Sequence, residues 1–287
     1  MEPIEQRVLG MSPLGFHENA YWDWPSPGHD APCLVMVHGL TRNGRDFDAV
    51  ARALSADFHV VCPDVVGRGK SAWLANDALY GYPQYMSDAA SLIARVAGPG
   101  PVDWLGTSMG GLIGMMLAAM RGSPIRRLIL NDVGPLVPQA ALRRIGTYVG
   151  QDPHFPDLRA VAAYLKTVHS GFGNLSEADW AAMARHSARS LPDGGYALAY
   201  DPGIGSAFTA GPIADIDLWP FWDRIACPVL VLRGARSDLL LPQTAAEMVQ
   251  RKPGTVLVEF PGCGHAPALI DPDQIAAVRR WLATTPP

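Results

Sequence analysis

Short apolar segments recur along the chain and predict strands that are buried within a parallel sheet. Most are rich in valine, leucine or isoleucine and lack the polar alternation of a half-exposed strand. These segments are 33–37, 58–62, 102–105, 125–130, 228–232 and 256–260. Segment 16–24 instead carries aromatic residues with a period of two, and it predicts an additional early strand.

Apolar residues between these segments repeat with the spacing of an amphipathic helix. The repeats cover 47–54, 86–96, 244–250 and 274–282. Asp271 and Pro272 precede the last repeat, and this pair is typical of a helix N-cap followed by a first-turn proline. The alternation of strand and helix predicts an α/β fold with a doubly wound, mostly parallel sheet.

The alternation stops between residues 135 and 222, where the pattern is helical. Helices are predicted over 139–149, 158–169 and 176–190, and a segment rich in glycine and proline follows them. An all-helical insertion between two sheet strands predicts a cap over the carboxyl ends of the strands, where open α/β sheets bind ligands. We therefore predict an α/β core formed by 1–134 and 223–287, with a helical cap formed by 135–222.

The composition is that of a folded globular protein. Of the 287 residues, 48% are hydrophobic and 17% are charged, which allows a sizeable core. The net charge is −4 without a basic run, so we expect no nucleic-acid partner. The N-terminus lacks the apolar core of a signal peptide, and the most apolar segment, 112–120, is too short to span a bilayer. We expect a cytoplasmic monomer or homodimer without stable membrane association.

The four cysteines have neither the spacing of a zinc site nor that of a redox pair. They are Cys33, Cys62, Cys227 and Cys263. The first three lie in or beside apolar segments, so we expect buried free thiols and a reducing compartment. The sequence implies no metal and no organic cofactor.

A strand–turn–helix motif carries the first candidate for chemistry. Residues 106–110 read Gly-Thr-Ser-Met-Gly, directly after the apolar segment 102–105 and before the helix-like segment 112–120. This context predicts a nucleophile elbow, in which a strained turn exposes the hydroxyl of Ser108. Gly106 and Gly110 lack the Cβ atoms that would clash where strand and helix crowd together.

Serine is a weak nucleophile at neutral pH and requires a base. His265 follows the last predicted strand, so we expect it at the same sheet edge as Ser108. The other seven histidines are expected to be structural or surface residues: His17, His29, His38, His59, His154, His169 and His186.

The base in turn requires an acid that orients the imidazole. Asp238 lies on the loop after segment 228–232, beside the predicted loop of His265, and we select it as the third member. The chain order Ser108, Asp238, His265 is typical of this arrangement. Asp132, after the preceding strand, is the rival candidate.

Two backbone N–H groups are needed to stabilise an oxyanion. We assign them to Leu40, in the His-Gly-Leu segment after the first buried strand, and to Met109, which follows the nucleophile. His38 is expected to support this loop without transferring protons.

Taken together, these segments resemble the α/β-hydrolase superfamily. The resemblance rests on 38–40, 64–71, 106–110, Asp238 and 264–265. It implies an eight-stranded, mostly parallel sheet with a helical cap, and a Ser-His-Asp triad. Dehalogenases and epoxide hydrolases of this superfamily carry aspartate at the elbow, and Ser108 argues against both.

The predicted function is hydrolysis of a carboxylic ester of a small molecule through an acyl-enzyme. A carbon–carbon bond hydrolase or an enol-lactonase is the catalytic alternative that the resemblance leaves open. The alternative of another class is a non-catalytic receptor for a small molecule, which would bind its ligand without turnover.

Overall fold

The structure, a computed structural model, describes residues 2–28, 31–192 and 194–286. His29 therefore lies outside the described residues. The strands of the described chain are β1 (Ile4–Ser12), β2 (Gly15–Trp24), β3 (Cys33–Val37), β4 (His59–Pro63), β5 (Val102–Thr107), β6 (Ile125–Asn131), β7 (Leu136–Val137), β8 (Ala188–Ser190), β9 (Tyr196–Leu198), β10 (Ile216–Asp217), β11 (Val229–Gly234) and β12 (Val256–Phe260). The α-helices are α1 (Asp48–Leu54), α2 (Tyr82–Ala97), α3 (Met109–Ala118), α4 (Gln139–Gly146), α5 (Leu158–Val168), α6 (Glu177–Ser187), α7 (Trp219–Trp222), α8 (Pro242–Arg251) and α9 (Pro272–Thr284).

Eight of these strands form one sheet in the order β1-β2-β4-β3-β5-β6-β11-β12. The pairs β1–β2 and β2–β4 are antiparallel, and every other pair is parallel. The predicted fold class, a doubly wound and mostly parallel eight-stranded sheet, is confirmed.

Two hydrophobic layers cover the two faces of this sheet. Along β3, Val35 and Val37 pack into one layer, whereas Leu34 and Met36 pack into the other. Successive residues of a strand point to opposite faces, so a strand that is covered on both sides must be apolar at every position. This burial explains the uninterrupted apolar segments of the sequence.

Most predicted elements form with small shifts at their ends. Asp271 caps α9 by accepting a hydrogen bond from the backbone N–H of Asp273, and Ser176 and Asp179 form a capping box at α6. The four cysteines are free thiols. Cys33 and Cys62 are buried as predicted, Cys227 is only half-buried, and Cys263, for which burial was not predicted, is buried.

The insertion between β6 and β11 is not entirely helical, so that part of the prediction is wrong. It contains α4 to α7 and two small antiparallel sheets, β7 with β10 and β8 with β9. The helix predicted over 176–190 ends at Ser187, because Ala188 turns to extended backbone and begins β8.

Hydrogen bonds fasten the insertion to the loop after β4. Gly69 donates its backbone N–H to the carbonyl of Ala199 over 2.8 Å. Asp201 donates its backbone N–H to the carbonyl of Gly67, also over 2.8 Å. The Tyr80 hydroxyl donates to the Asp201 carboxylate at 2.5 Å. No helix in the described ranges is long and apolar enough to cross a membrane.

Candidate active site

Ser108 occupies a strained turn between β5 and α3. Its φ of 51° and ψ of −115° lie in a region that non-glycine residues rarely adopt. A Cβ at Gly106 would lie 2.2 Å from the carbonyl oxygen of Gly110, and a Cβ at Gly110 would lie 2.0 Å from that of Val37. The two glycines are thus required where the strand and the helix meet, as the motif predicted.

His265, on the loop after β12, lies beside Ser108. Its Nε2 is 3.0 Å from the Ser108 Oγ, and its Nδ1 is 2.7 Å from Oδ2 of Asp132. These distances fit the tautomer in which Nδ1–H donates to the carboxylate and Nε2 accepts from the serine hydroxyl. The three side chains form one hydrogen-bonded chain across the carboxyl edge of the sheet.

Asp132 is fully buried at the end of β6, with a φ of 56°. Its Oδ1 accepts the backbone N–H of Gly234 at 2.7 Å, and its Oδ2 accepts the hydroxyl of Ser237 at 2.5 Å. With the bond to His265, three donors hold this carboxylate. The imidazole is therefore oriented by a group that cannot itself rotate freely.

The prediction that Asp238 is the partner of His265 is wrong. Asp238 lies at the rim with 48% of its side chain exposed, and it binds Arg144 through Oδ2–Nε at 2.5 Å and Oδ1–Nη2 at 2.9 Å. Ser237, on the same loop, points into the molecule and donates its hydroxyl to the Asp132 carboxylate. Asp238, the next residue, therefore faces the rim.

The chain order alone could not separate the two candidates, since both aspartates lie between Ser108 and His265. The number of residues between each aspartate and the end of the preceding strand could have separated them. Asp132 directly follows β6, which pairs with β5, the strand that leads into Ser108, whereas Asp238 lies further along its loop.

The loop that carries Leu40 lies against the elbow. Gly110 donates its N–H to the carbonyl of His38 over 3.1 Å, and a Cβ on Gly39 would lie 3.7 Å from that of Ser108. Among the described residues, the backbone N–H groups of Leu40 and Met109 have no hydrogen-bond acceptor. Both donors border cavities that also contain Ser108.

His38 holds this loop in place. Its Nδ1–H donates to the carbonyl of Gly39 at 2.7 Å, and its Nε2 accepts the N–H of Val65 at 2.9 Å. Burial, followed by the charges of Arg68 and Arg42, lowers the pKa of His38 to about 3, although its bond to Gly39 opposes the shift. A ring that is neutral at neutral pH and has both nitrogens engaged supports the loop and is not available for proton transfer there.

Two cavities meet at Ser108. The first, here called the small chamber, has a volume of about 60 Å³ and is polar along part of its wall. Its wall includes His265, Arg42, Arg144, Tyr148, His169 and Phe172. The second, here called the large chamber, has a volume of about 600 Å³. Its wall is mostly apolar and includes Met109, Tyr82, Leu112, Ile204, Phe208 and Leu239.

Most of the chamber walls carry no sequence motif. His169, expected to be structural or at the surface, is buried and faces the small chamber. It ends α5 at a position that helical periodicity marks only as a helix terminus. No group of three or more possible metal ligands is found in the described parts of the chain.

Comparison with known proteins gives a consistent set of relatives. A family model described as "Alpha/beta hydrolase family" matches residues 34–278. A 3-hydroxybutyrate-oligomer hydrolase of Cupriavidus necator is 48% identical over 285 residues, which cover 96% of each chain. The crystal structure of an alpha/beta hydrolase from Novosphingobium aromaticivorans is 35% identical, with a TM-score of 0.87 over 99% of both chains. A Rickettsia typhi crystal structure, provisionally assigned as a hydrolase, is 30% identical, with a TM-score of 0.91 over the whole of both chains.

Proposed function

The chain belongs to the alpha/beta hydrolase family, and from this premise we propose that it is a serine esterase acting on short oligomers of a hydroxy acid. The observation that carries this proposal is the continuous chain of hydrogen bonds from Ser108 through His265 to Asp132. That chain is the arrangement that activates a serine hydroxyl for attack on an acyl carbonyl. We therefore replace Asp238 by Asp132 in the proposed triad.

In the first half of the reaction, Ser108 Oγ attacks the ester carbonyl while His265 Nε2 takes the hydroxyl proton. The Asp132 carboxylate stabilises the imidazolium that forms. The carbonyl oxygen becomes an oxyanion, which the N–H groups of Leu40 and Met109 would stabilise. Removal of one such donor costs about 10²–10³ in rate in comparable enzymes.

Collapse of the tetrahedral intermediate breaks the bond between the carbonyl carbon and the alcohol oxygen. His265 gives its proton to the departing alkoxide, and an acyl-enzyme ester remains on Ser108. Water then attacks that ester with His265 again acting as base, and the acid product leaves. The balance is one water consumed for each ester cleaved, without a metal or an organic cofactor.

The substrate class is proposed from similarity and from shape. The Cupriavidus relative is named for hydrolysis of 3-hydroxybutyrate oligomers, and it aligns with nearly the whole of this chain. Such an oligomer is a flexible chain of short apolar segments joined by esters. The large chamber beside Ser108, with a mostly apolar wall and a volume of about 600 Å³, suits several units of this chain.

We further propose that 135–222 acts as a cap on a core formed by 1–134 and 223–287. Support comes from Ile145, Tyr148 and His169, which belong to the insertion and line the small chamber. A cytoplasmic monomer or homodimer with a small-molecule substrate remains our expectation.

The test combines turnover with labelling of the nucleophile. We expect the purified protein to release acid from a 3-hydroxybutyrate trimer, and a fluorophosphonate to modify Ser108, as located by mass spectrometry of peptides. Ser108→Ala is the control and should lose both. Saturable binding of the trimer without turnover or labelling would instead indicate a receptor and refute the proposal.

A further inference from the structure

The two chambers differ in their relation to His265. His265 and the residues that follow it, 266–268, border the small chamber and not the large one. Met109 and Leu112, from the first turn of α3, border the large chamber and not the small one. Ser108 and Leu40 border both. A carbonyl carbon bonded to Ser108 would therefore have one substituent in each chamber.

This asymmetry determines which chamber receives the acyl group of an ester and which receives its alcohol group. Nε2 of His265 must protonate the departing alcohol oxygen, so that oxygen has to leave on the side of the imidazole. The acyl chain must then extend in the opposite direction, past Met109. The leaving group consequently belongs in the small chamber and the acyl group in the large one.

We propose that the small chamber binds the carboxyl-terminal unit of the oligomer as the leaving group, with its free carboxylate held by Arg42 and Arg144. The inference rests on the proposed esterase function and adds the direction in which the chain is cut. One hydroxy acid is released from the carboxyl end, and the rest of the oligomer becomes the acyl-enzyme.

The charges of the small chamber support a carboxylate ligand. Arg42 binds Asp46 through Nε at 2.8 Å and Nη2 at 2.6 Å, and Arg144 binds Asp238 through the same pair of nitrogens. Among the described residues, the Nη1 of Arg42 donates no hydrogen bond, whereas the guanidinium of Arg144 also interacts with the Tyr148 hydroxyl at the chamber wall. A guanidinium that has a free N–H beside a cavity is suited to a planar anion. Asp46, the partner of Arg42, also borders the chamber, whereas Asp238, the partner of Arg144, does not. Arg144 is therefore the cation that faces the chamber without its own carboxylate partner beside it.

His169 adds a neutral polar contact to the same wall. The residue is only 8% exposed, and neither ring nitrogen has a hydrogen-bond partner among the described residues. Stacking on Phe172, with ring centroids 4.6 Å apart, holds its orientation. Burial first, and then the charge of Arg42, keeps the pKa of His169 well below its usual value. An uncharged imidazole that borders a cavity and has no hydrogen bond to a described residue is suited to contact a polar ligand group there.

The chamber volumes predict how much of the chain each side accepts. The small chamber, at about 60 Å³, is about a tenth of the large chamber, at about 600 Å³. The small chamber can thus take at most one short unit on the leaving side, whereas the large chamber has room for several on the acyl side. The products should be a monomer and an oligomer shortened by one unit.

The direction of cutting can be read from a labelled substrate. A linear 3-hydroxybutyrate tetramer is prepared with ¹³C only in its carboxyl-terminal unit, and the first products are analysed by mass spectrometry. We expect labelled monomer and unlabelled trimer. Unlabelled monomer, or dimer as the main early product, would overturn the inference while leaving the esterase proposal intact. Absence of any hydrolysis together with absence of Ser108 labelling would refute the esterase proposal itself.

A second experiment tests the carboxylate contact. The ratio of kcat/KM for the trimer to kcat/KM for its terminal carboxamide is measured in the native protein and in variants. We expect a ratio of roughly tenfold or more, because a charge-assisted hydrogen bond is lost with the carboxamide. Equal values for the two substrates in the native protein would overturn the inference.

Three variants separate binding from structure. Arg144→Gln should reduce this ratio several-fold. Arg143→Gln is the matched control, since Arg143 is an exposed neighbour on α4 that borders neither chamber. Asp238→Asn breaks the same ion pair but keeps the cation, so it should not reduce the ratio. A ratio that is reduced equally by Asp238→Asn and Arg144→Gln would overturn the assignment of Arg144.

Discussion

At the scale of single residues, two histidines of this site are used in opposite ways. His265 keeps one nitrogen for Ser108 and is turned by Asp132, so it can exchange a proton. The backbone of His38 also contacts the elbow, through its carbonyl and the N–H of Gly110, but its ring is bound at both nitrogens, by Gly39 and by the N–H of Val65. The difference between a base and a structural histidine is therefore a difference in hydrogen-bond partners.

The assignment of Asp132 predicts the effect of two isosteric variants. Asp132→Asn should lower kcat/KM by about 10⁴-fold, because the amide favours the wrong tautomer of His265. Asparagine tolerates the positive φ at this position, so the variant should fold. Asp238→Asn is the matched control and should change kcat/KM for a neutral p-nitrophenyl ester by less than a few-fold. A larger loss in Asp238→Asn than in Asp132→Asn would contradict the assignment.

The buried neutral state of His38 predicts a contribution to the pH dependence of stability. The pKa of His38 is about 3 in the folded protein and close to 6.5 in an unfolded chain. Between these values the unfolded state binds more protons, so the free energy of unfolding falls as the pH is lowered. This contribution is complete above pH 6.5 and is lost progressively towards pH 3.

The measurement compares the native protein with His38→Gln by urea unfolding between pH 6 and pH 4. From pH 6 to pH 4 the native protein should lose about 1.4 kcal/mol per pH unit more than the variant. The variant itself should be less stable at pH 7, because it leaves buried groups of the loop without partners. Parallel pH profiles for the two proteins would contradict this role of His38.

At the scale of elements, the site depends on how closely α3 approaches β3 and β5. Ten consecutive residues of α3 are buried, so this helix lies inside the molecule and has no polar face. Ser108 is the single residue between the end of β5 and the start of α3, and the chain must reverse direction there so that the hydroxyl faces the cavity. Close packing and a strained turn are therefore parts of the same arrangement.

A methyl group at Gly110 should disrupt this arrangement. The added Cβ would lie 2.0 Å from the carbonyl oxygen of Val37, which belongs to the backbone of a central strand and cannot move aside easily. We expect Gly110→Ala to lower the free energy of unfolding by roughly 1–3 kcal/mol and to remove most of the activity. Gly262→Ala is the control, since no atom lies within 4 Å of the added Cβ. Thermal unfolding and ester turnover of both variants would test this, and an active, stable Gly110→Ala would refute it.

Elements were predictable where burial alone determines the pattern. The inner strands β3 to β6 and β11 are covered on both faces, so their apolar segments were visible in the sequence. By contrast, β1 pairs with β2 at the sheet edge and has several exposed residues, so its pattern is mixed and it was missed. The short strands β7 to β10 lie within an insertion whose helices dominate the local pattern, and they too were missed.

The residues of the site were predictable to a different extent. Ser108 and His265 follow from motif and position, because the turn and the strand end constrain them locally. The choice between Asp132 and Asp238 depends on which side chain of a loop turns inward, which is a tertiary property. His169 and Arg144 carry no local signature, because their roles depend on how the insertion lies over the core.

At the scale of the whole molecule, the insertion and the core meet through a few buried polar contacts. The Tyr80 hydroxyl donates to the Asp201 carboxylate and accepts the N–H of Leu74 at 2.8 Å. Both side chains are more than nine-tenths buried. A buried carboxylate that loses its donor keeps the full cost of desolvation.

Tyr80→Phe should therefore loosen this junction. We expect the free energy of unfolding to fall by about 1–3 kcal/mol, because Asp201 and the N–H of Leu74 each lose a partner. Tyr196→Phe is the matched control, since the Tyr196 hydroxyl makes no hydrogen bond within the described residues. Urea unfolding would measure both variants. Equal stability of Tyr80→Phe and the native protein would show that these bonds contribute nothing to the junction.

The chain leaves the sheet after β6 and returns to it at β11, and these two strands are hydrogen-bonded neighbours. The inserted segment is therefore tied to the core at adjacent points, and its length can change without a change in strand order. Ser108, Asp132 and His265 all come from the core, whereas Arg144, Tyr148 and His169 come from the insertion. Sequence changes in the insertion can thus alter the preferred substrate while the reacting groups keep their positions. The fold therefore allows substrate selectivity to change in evolution independently of the reaction itself.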